Sequence, residues 1–206
     1  MTPSIAKYLF AAALGAGLFA ATAAVSQQKQ EQPPGMGSWE DMMKMYEKFN
    51  APGPEHARFK EATGTWQTET KMWFGPGEPM VSGGRSEVEV LWGGRYLKEH
   101  YRCDSMMGQA FDGIAILGYD NQKKKYISVW LDSTSTGIMV MEGTRDDATG
   151  TTTMHGEYDD PFRGRIKMRN VMREISKDRQ IMEMYHTGPD GQEQKAMEIS
   201  YTRQAS

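Results

Sequence analysis

Residues Gly113–Gly143 read GIAILGYDNQKKKYISVWLDSTSTGIMVMEG, three short apolar runs with no room for a helix between them. Gly113–Tyr119 is apolar, Asp120–Lys124 is a polar turn, and Tyr126–Asp132 is apolar again. Ser133–Gly137 turns the chain once more into Ile138–Gly143. A parallel crossover needs a dozen or more residues, so strands joined by connections this short must lie antiparallel. The stretch therefore predicts an up-and-down antiparallel sheet. It carries no signature of a reaction.

Working outward, the same pattern repeats. Strands are predicted near Thr65–Phe74, Gly84–Trp92, Arg95–Cys103, Gln109–Tyr119, Lys125–Asp132, Gly137–Asp146, Thr151–Tyr158, Arg165–Ile175, Gln180–His186 and Glu193–Arg203. Turn chemistry separates them at Gly75-Pro76-Gly77, Gly93-Gly94, Asp120-Asn121, Ala148-Thr149-Gly150, Asp160-Pro161 and Pro189-Asp190-Gly191. About ten short strands at regular spacing make an all-β sandwich or barrel. Barrel closure removes exposed edges.

Ahead of the strands the period changes. Ser38 is placed to N-cap a helix with Asp41 three residues on, and Trp39, Met42, Met43, Tyr46 and Phe49 form one apolar stripe. Pro52-Gly53-Pro54 stops that helix, and Glu55–Ala62 suits a short second one ended by Gly64. Residues 38–63 are thus expected to be a helical segment packing on the strand domain of residues 64–206. Residues 1–26 have the layout of a secretory signal peptide: Lys7, the apolar run Tyr8–Ala20, and cleavage after Ala23 or Ser26. The run is short for a membrane span, so the expected product is periplasmic or secreted and not membrane-embedded after cleavage. Residues 27–37 read as a disordered linker.

Several motifs carry a family likeness. Gly118-Tyr119-Asp120-Asn121, Lys123-Lys124-Lys125-Tyr126, Trp130-Leu131-Asp132-Ser133 and Gly137–Gly143 are joined by Pro52–His56, Gly64-Thr65-Trp66, Gly93-Gly94-Arg95, Gly188–Gly191 and Ile199–Arg203. Together they resemble the bacterial domain-of-unknown-function family numbered fifteen seventy-nine, over nearly all of the chain beyond its N-terminal segment. The resemblance implies a calycin-like, lipocalin-like barrel and so selects the barrel over the sandwich. It supplies no established activity and no catalytic residues. In lipocalin-like barrels a Gly-x-Trp opens the first strand and an Arg of the last strand packs across the Trp. Gly64, Trp66 and Arg203 match that closure device. A competing use of the same end is capture of a ligand carboxylate by Tyr201 and Arg203, which share a strand face.

Composition narrows the function. Of 24 basic and 27 acidic side chains, signal removal takes only Lys7, leaving a net charge of −4 and no basic patch for nucleic acid. Lys123–Lys125 sits in a turn and reads as a solvated tip. Cys103 is the only cysteine, so no intramolecular disulfide forms, and it reads as a small buried hydrophobe. Beyond the signal there are 16 Met against four Leu, with Met139 and Met141, and Met182 and Met184, sharing strand faces. Methionine is flexible and suits a pocket that adapts to varied apolar ligands. Thioether capture of Cu(I) is the weaker reading.

Strand parity supplies candidate ligand-binding residues. Tyr126, Ser128, Trp130 and Asp132 share one face of their strand, against Ile127, Val129 and Leu131. If polar-aromatic faces point inward, Trp130, Asp132, Glu142, His100 and Tyr185 meet in one cavity, with Tyr201 from the last strand. The four histidines show no zinc spacing, so no metal site is expected. A haem ligand would need His100 or His186, and no cofactor is called. The resulting expectation is non-catalytic binding of a small apolar or amphipathic molecule inside the barrel. The rivals are hydrolysis or isomerisation of such a ligand through Asp132, Glu142 and His100, and a cell-envelope interaction module, a homodimer among its forms, with a filled core.

Overall fold

The computed structural model describes residues 37–188 and 191–205; the expected signal segment, residues 1–26, and all but the last residue of the expected linker lie outside them. Ten antiparallel strands close into an up-and-down barrel: β1 (Gly64–Met72), β2 (Met80–Leu91), β3 (Tyr96–Met106), β4 (Gln109–Asp120), β5 (Lys125–Asp132), β6 (Met139–Asp146), β7 (Thr151–Asp160), β8 (Gly164–Ser176), β9 (Arg179–Thr187) and β10 (Glu193–Arg203). Each strand pairs with its successor, and β10 returns to β1. The expected strands are all present, most within a few residues of their predicted ends.

Short local turns build this order. Met107 and Gly108 form a two-residue connection with φ of 53° and 81°, the doubly left-handed turn that matches strand twist in a tight hairpin. At the β4–β5 turn the Asp120 carboxylate accepts from the backbone N–H of Gln122 and Lys123 at 2.7 and 3.0 Å. That is the local Asx geometry for which Asp is favoured in turns.

Closure lies at β1. Trp66 pairs with Arg203 of β10 and with Ser86 of β2. The Arg203 guanidinium lies 4.1 Å from the Trp66 ring centroid, and it donates to the carbonyls of Lys177, Thr63 and Glu61. Trp66 Nε1 donates to Ala62 O at 2.9 Å. Gly64, at φ 123°, has Arg203 Nη1 3.0 Å from where a Cβ would stand, so a side chain there would crowd the guanidinium. With the guanidinium occupied in this way, Arg203 is a seam residue and has no fork left for a ligand carboxylate.

Three helices precede the barrel: α1 (Trp39–Asn50), α2 (Pro54–Ala57) and α3 (Phe59–Ala62). Ser38 and Asp41 cap α1 reciprocally, Ser38 N donating to Asp41 Oδ2 at 3.1 Å and Asp41 N to Ser38 Oγ at 3.2 Å. No residue of α1 is buried, so packing of the helical segment falls to α2 and α3. Asn121, in the β4–β5 turn, holds the end of α1 by donating to Phe49 O and Ala51 O at 2.9 and 3.0 Å. None of the described helices is long and apolar enough to cross a membrane.

Candidate functional site

The barrel is hollow. A cavity of ≈ 440 Å³ runs from Phe59 and Ala62 of α3 to Met106, Phe111, Trp130 and Met139 at the opposite ends of the strands. This is within the size range of small-molecule sites, roughly 300–1,000 Å³.

One end is stoppered by aromatic packing. His56 meets Phe59 and Tyr119 edge-on at 5.8 and 5.9 Å, and Tyr119 meets Tyr126 at 5.0 Å. Gly53 N donates to His56 Nδ1 at 3.0 Å, which requires the neutral ring, and burial pushes the His56 pKa below its ordinary value. The Tyr126 hydroxyl donates to the Glu55 carboxylate; burial, then that bond, raises the phenol pKa. Two arginines also reach the cavity here, and both are paired. Arg145 makes a two-pronged bond to Glu174 at 2.7 and 2.8 Å, and Arg58 lies 2.9 Å from Asp147.

The walls differ around the circumference. Nine methionines line the cavity, among them Met139, Met141, Met154, Met172, Met182 and Met184 on β6–β9. Opposite, β1, β3 and β10 contribute Trp66, Glu99, Tyr101 and Tyr201 to the lining and β2 contributes Val88, backed by buried Thr70 and Ser86. Thr70 Oγ1 and the Tyr101 hydroxyl are 3.0 Å apart. Ser86 Oγ donates to Glu99 Oε1 at 2.5 Å, and the Tyr201 hydroxyl donates to the same carboxyl. Burial raises the Glu99 pKa above the ordinary value, against these two bonds, and raises that of Tyr201 further.

The predicted site residues divide between inside and outside. Trp130 and Tyr201 line the cavity. Trp130 stacks on Phe111 at 6.2 Å and lies across Gly113, where a Cβ would come within 2.4 Å of the indole. Asp132 ends β5, accepting from Trp130 Nε1 at 3.0 Å and from Thr134 N at 2.9 Å. Burial works to raise its pKa, but bonds from Thr134, Trp130 and Ser135 prevail and lower it. It therefore holds the indole and the turn.

Glu142, His100 and Tyr185 are corrections, because all three lie on the outer face. Glu142 is bound by Lys123 and Lys125 at 2.9 and 3.3 Å. His100 lies between Asp112 Oδ1 at 2.5 Å and Arg102 at 2.8 Å. Arg169 sits 4.2 Å over the Tyr185 ring. The acid–base set Asp132, Glu142 and His100 is consequently not assembled. Among the described residues no His, Cys, Asp and Glu cluster is placed to hold a metal ion. His186 faces inward beside Tyr158, at 5.7 Å, but stays out of the cavity lining. Cys103 is buried as a free thiol on β3.

The residue that strand reading missed is Glu99. On β3 the even positions are Tyr96, Lys98, His100 and Arg102, and the odd ones Leu97, Glu99, Tyr101 and Cys103. A single acid on an otherwise apolar and aromatic face was the available signal.

A closed up-and-down antiparallel barrel, stoppered by short helices and hollow within, defines a calycin-like barrel protein. The chain belongs to the DUF1579 family, described as "Protein of unknown function", whose model matches residues 51–203. Among solved structures it is similar to Rv2717c from M. tuberculosis, with TM-score 0.55, 11% identity, and 75% of this chain and 100% of that chain covered. It is also similar to the S-type phycobiliprotein lyase CPES from Guillardia theta, with TM-score 0.53, 14% identity, and 78% and 98% covered. At these identities the likeness is one of fold. No curated protein matches the chain.

Proposed function

We propose that this protein is an exported binding protein that holds a small apolar or amphipathic molecule in its barrel without transforming it. The observation that carries the reading is the ≈ 440 Å³ cavity, walled by thioethers and aromatic rings and bearing few polar groups. Small-molecule sites have this makeup: mostly apolar walls and a small number of polar groups that fix orientation. Methionine side chains repack easily, which favours a range of ligand shapes over one. The absence of the acid–base set from the cavity removes the specific support for hydrolysis or isomerisation. Export is favoured by the N-terminal layout of Lys7, Tyr8–Ala20 and Ala21-Thr22-Ala23.

Native mass spectrometry of the purified protein, with mild and then harsher activation, tests the binding reading. The expected result is a released non-covalent adduct of a few hundred daltons, or uptake of a neutral apolar dye such as N-phenyl-1-naphthylamine with enhanced emission. A protein that carries no adduct and takes up no dye would sink it. Export is checked separately by fractionating cells and sequencing the N-terminus of the recovered chain, expected to begin after Ala23 or Ser26.

A further inference from the structure

Glu99 is the acid of the cavity without a cationic partner. Its cross-strand neighbours are Val88 and Ala115, and its two hydrogen-bond donors, Ser86 and Tyr201, are neutral hydroxyls. The cations that reach the cavity, Arg58 and Arg145, are held at the stoppered end by Glu55, Asp147 and Glu174. A carboxyl removed from water without a counter-charge is costly when ionised, and burial accordingly raises its pKa. A second wall group points the same way. Asn170 on β8 lines the cavity, and its Oδ1 is buried with no hydrogen-bond partner. Both groups are acceptors, so along these walls the missing element is a donor; the lining's buried donor without a hydrogen-bond partner, Arg58 Nε, lies at the stoppered end, 3.5 Å from Glu55.

A cation would meet favourable surroundings here. Aromatic faces attract ammonium groups, and a charge-assisted hydrogen bond to a carboxylate is roughly twice as strong as a neutral one. A second carboxylate beside Glu99 would meet a like charge there, the arginines standing at the stoppered end with Asp147 and Glu174. The ligand chemistry of the cavity is therefore selective in charge as well as apolar.

We propose that the cavity takes a lipophilic amine, its protonated nitrogen donating to Glu99 and its apolar body lying along the methionine wall. This rests on the reading of the cavity as a ligand site and adds the headgroup to it. The test is displacement of N-phenyl-1-naphthylamine from the whole protein at neutral pH by decylamine, decanol and decanoate, all below their aggregation limits. Decylamine is expected to displace the dye at about tenfold lower concentration than decanol, the order of one charge-assisted bond, with decanoate the weakest. In Glu99→Gln the amine is expected to fall to within about threefold of the alcohol. Tyr201→Phe removes a donor but keeps the charge, so the preference for amine should persist in it. If Glu99→Gln fails to fold, the ranking in the unaltered protein and in Tyr201→Phe still decides. Equal displacement by amine and alcohol, a lead for decanoate, or an amine preference that survives Glu99→Gln would overturn the proposal and leave the cavity reading standing. Dye that does not bind at all, or that none of the three compounds displaces, defeats both.

Discussion

The two walls of the cavity are built on opposite terms. The wall of β1, β2, β3 and β10 is fixed by directional bonds: Thr70 to Tyr101, Ser86 to Glu99, Trp66 to Ala62, and Arg203 across the Trp66 ring. Apart from the Arg145–Glu174 pair at its stoppered end, the wall of β6–β9 is methionine after methionine, with Met141 and Met154 buried and Met172 and Met182 directly paired across strands. Hydrogen bonds specify one arrangement, because a buried polar group left unpaired costs free energy. Thioether chains fill irregular space and lose little when they shift. On the proposed binding reading, one wall would orient a ligand and the other accommodate its shape.

Breaking the oriented wall should give the largest effect. Trp66→Ala empties a fully buried site, orphans the Ala62 carbonyl and leaves Arg203 without its ring. The expected loss is about 3–5 kcal/mol, as for other buried large-to-small aromatic truncations. Urea unfolding followed by circular dichroism measures it. A loss below about 1 kcal/mol would mean that the seam does not hold the barrel closed.

The oriented wall is also the one that titrates within the cavity. The Glu99 pKa is raised in the fold from an ordinary value of 4.5, so above that pH the folded chain binds more of this proton than the unfolded chain does. Stability from this group is fully present below 4.5 and falls as pH rises through the window up to its folded value. His56 works oppositely. Its pKa is lowered from 6.5, so the unfolded chain takes that proton first and stability falls as pH drops below 6.5. Comparing Glu99→Gln with the unaltered protein cancels His56. The variant's relative stability is expected to improve as pH rises above 4.5, read as the difference in urea midpoint at several pH values. A difference independent of pH would place Glu99 in contact with water.

These contrasts bear on what the sequence could reveal. Hairpins are local, so strands and turns were legible from alternation and turn residues alone. That Met139 and Met141, and Met182 and Met184, share a strand face was legible too, since parity within one strand needs no partner; that this face points inward was not, because placing Glu142 and Tyr185 in the cavity turns both pairs outward. Parity across a turn was not. The β5–β6 connection is one residue longer than Ser133–Gly137, because β6 begins at Met139, and Trp130 therefore pairs with Met139 while Glu142 pairs with Ile127. A slip of one residue exchanges the faces. At β9–β10 a bulge between Lys195 and Met197 does the same, so Tyr201 turns inward while Tyr185 stays outside with Lys195. Bulges and loop lengths are decided by tertiary pairing, which alternation does not encode.

The smallest effect is expected where the wall is adaptable. Met182→Leu keeps the volume and apolar character of a residue that lines the cavity and packs near Trp66, Ile199 and Tyr201. Volume-conserving swaps of this kind usually cost less than about 1.5 kcal/mol. The branched chain has fewer ways to fill the same space, so the penalty should appear in ligand range before it appears in stability. Decanol and a bulky ring alcohol of similar carbon number, compared by dye displacement, are expected to diverge further in Met182→Leu than in the unaltered protein, with urea midpoints close together. If Met182→Leu costs as much as Trp66→Ala, the methionine wall is as tightly specified as the seam, and the division of labour between the two walls does not hold.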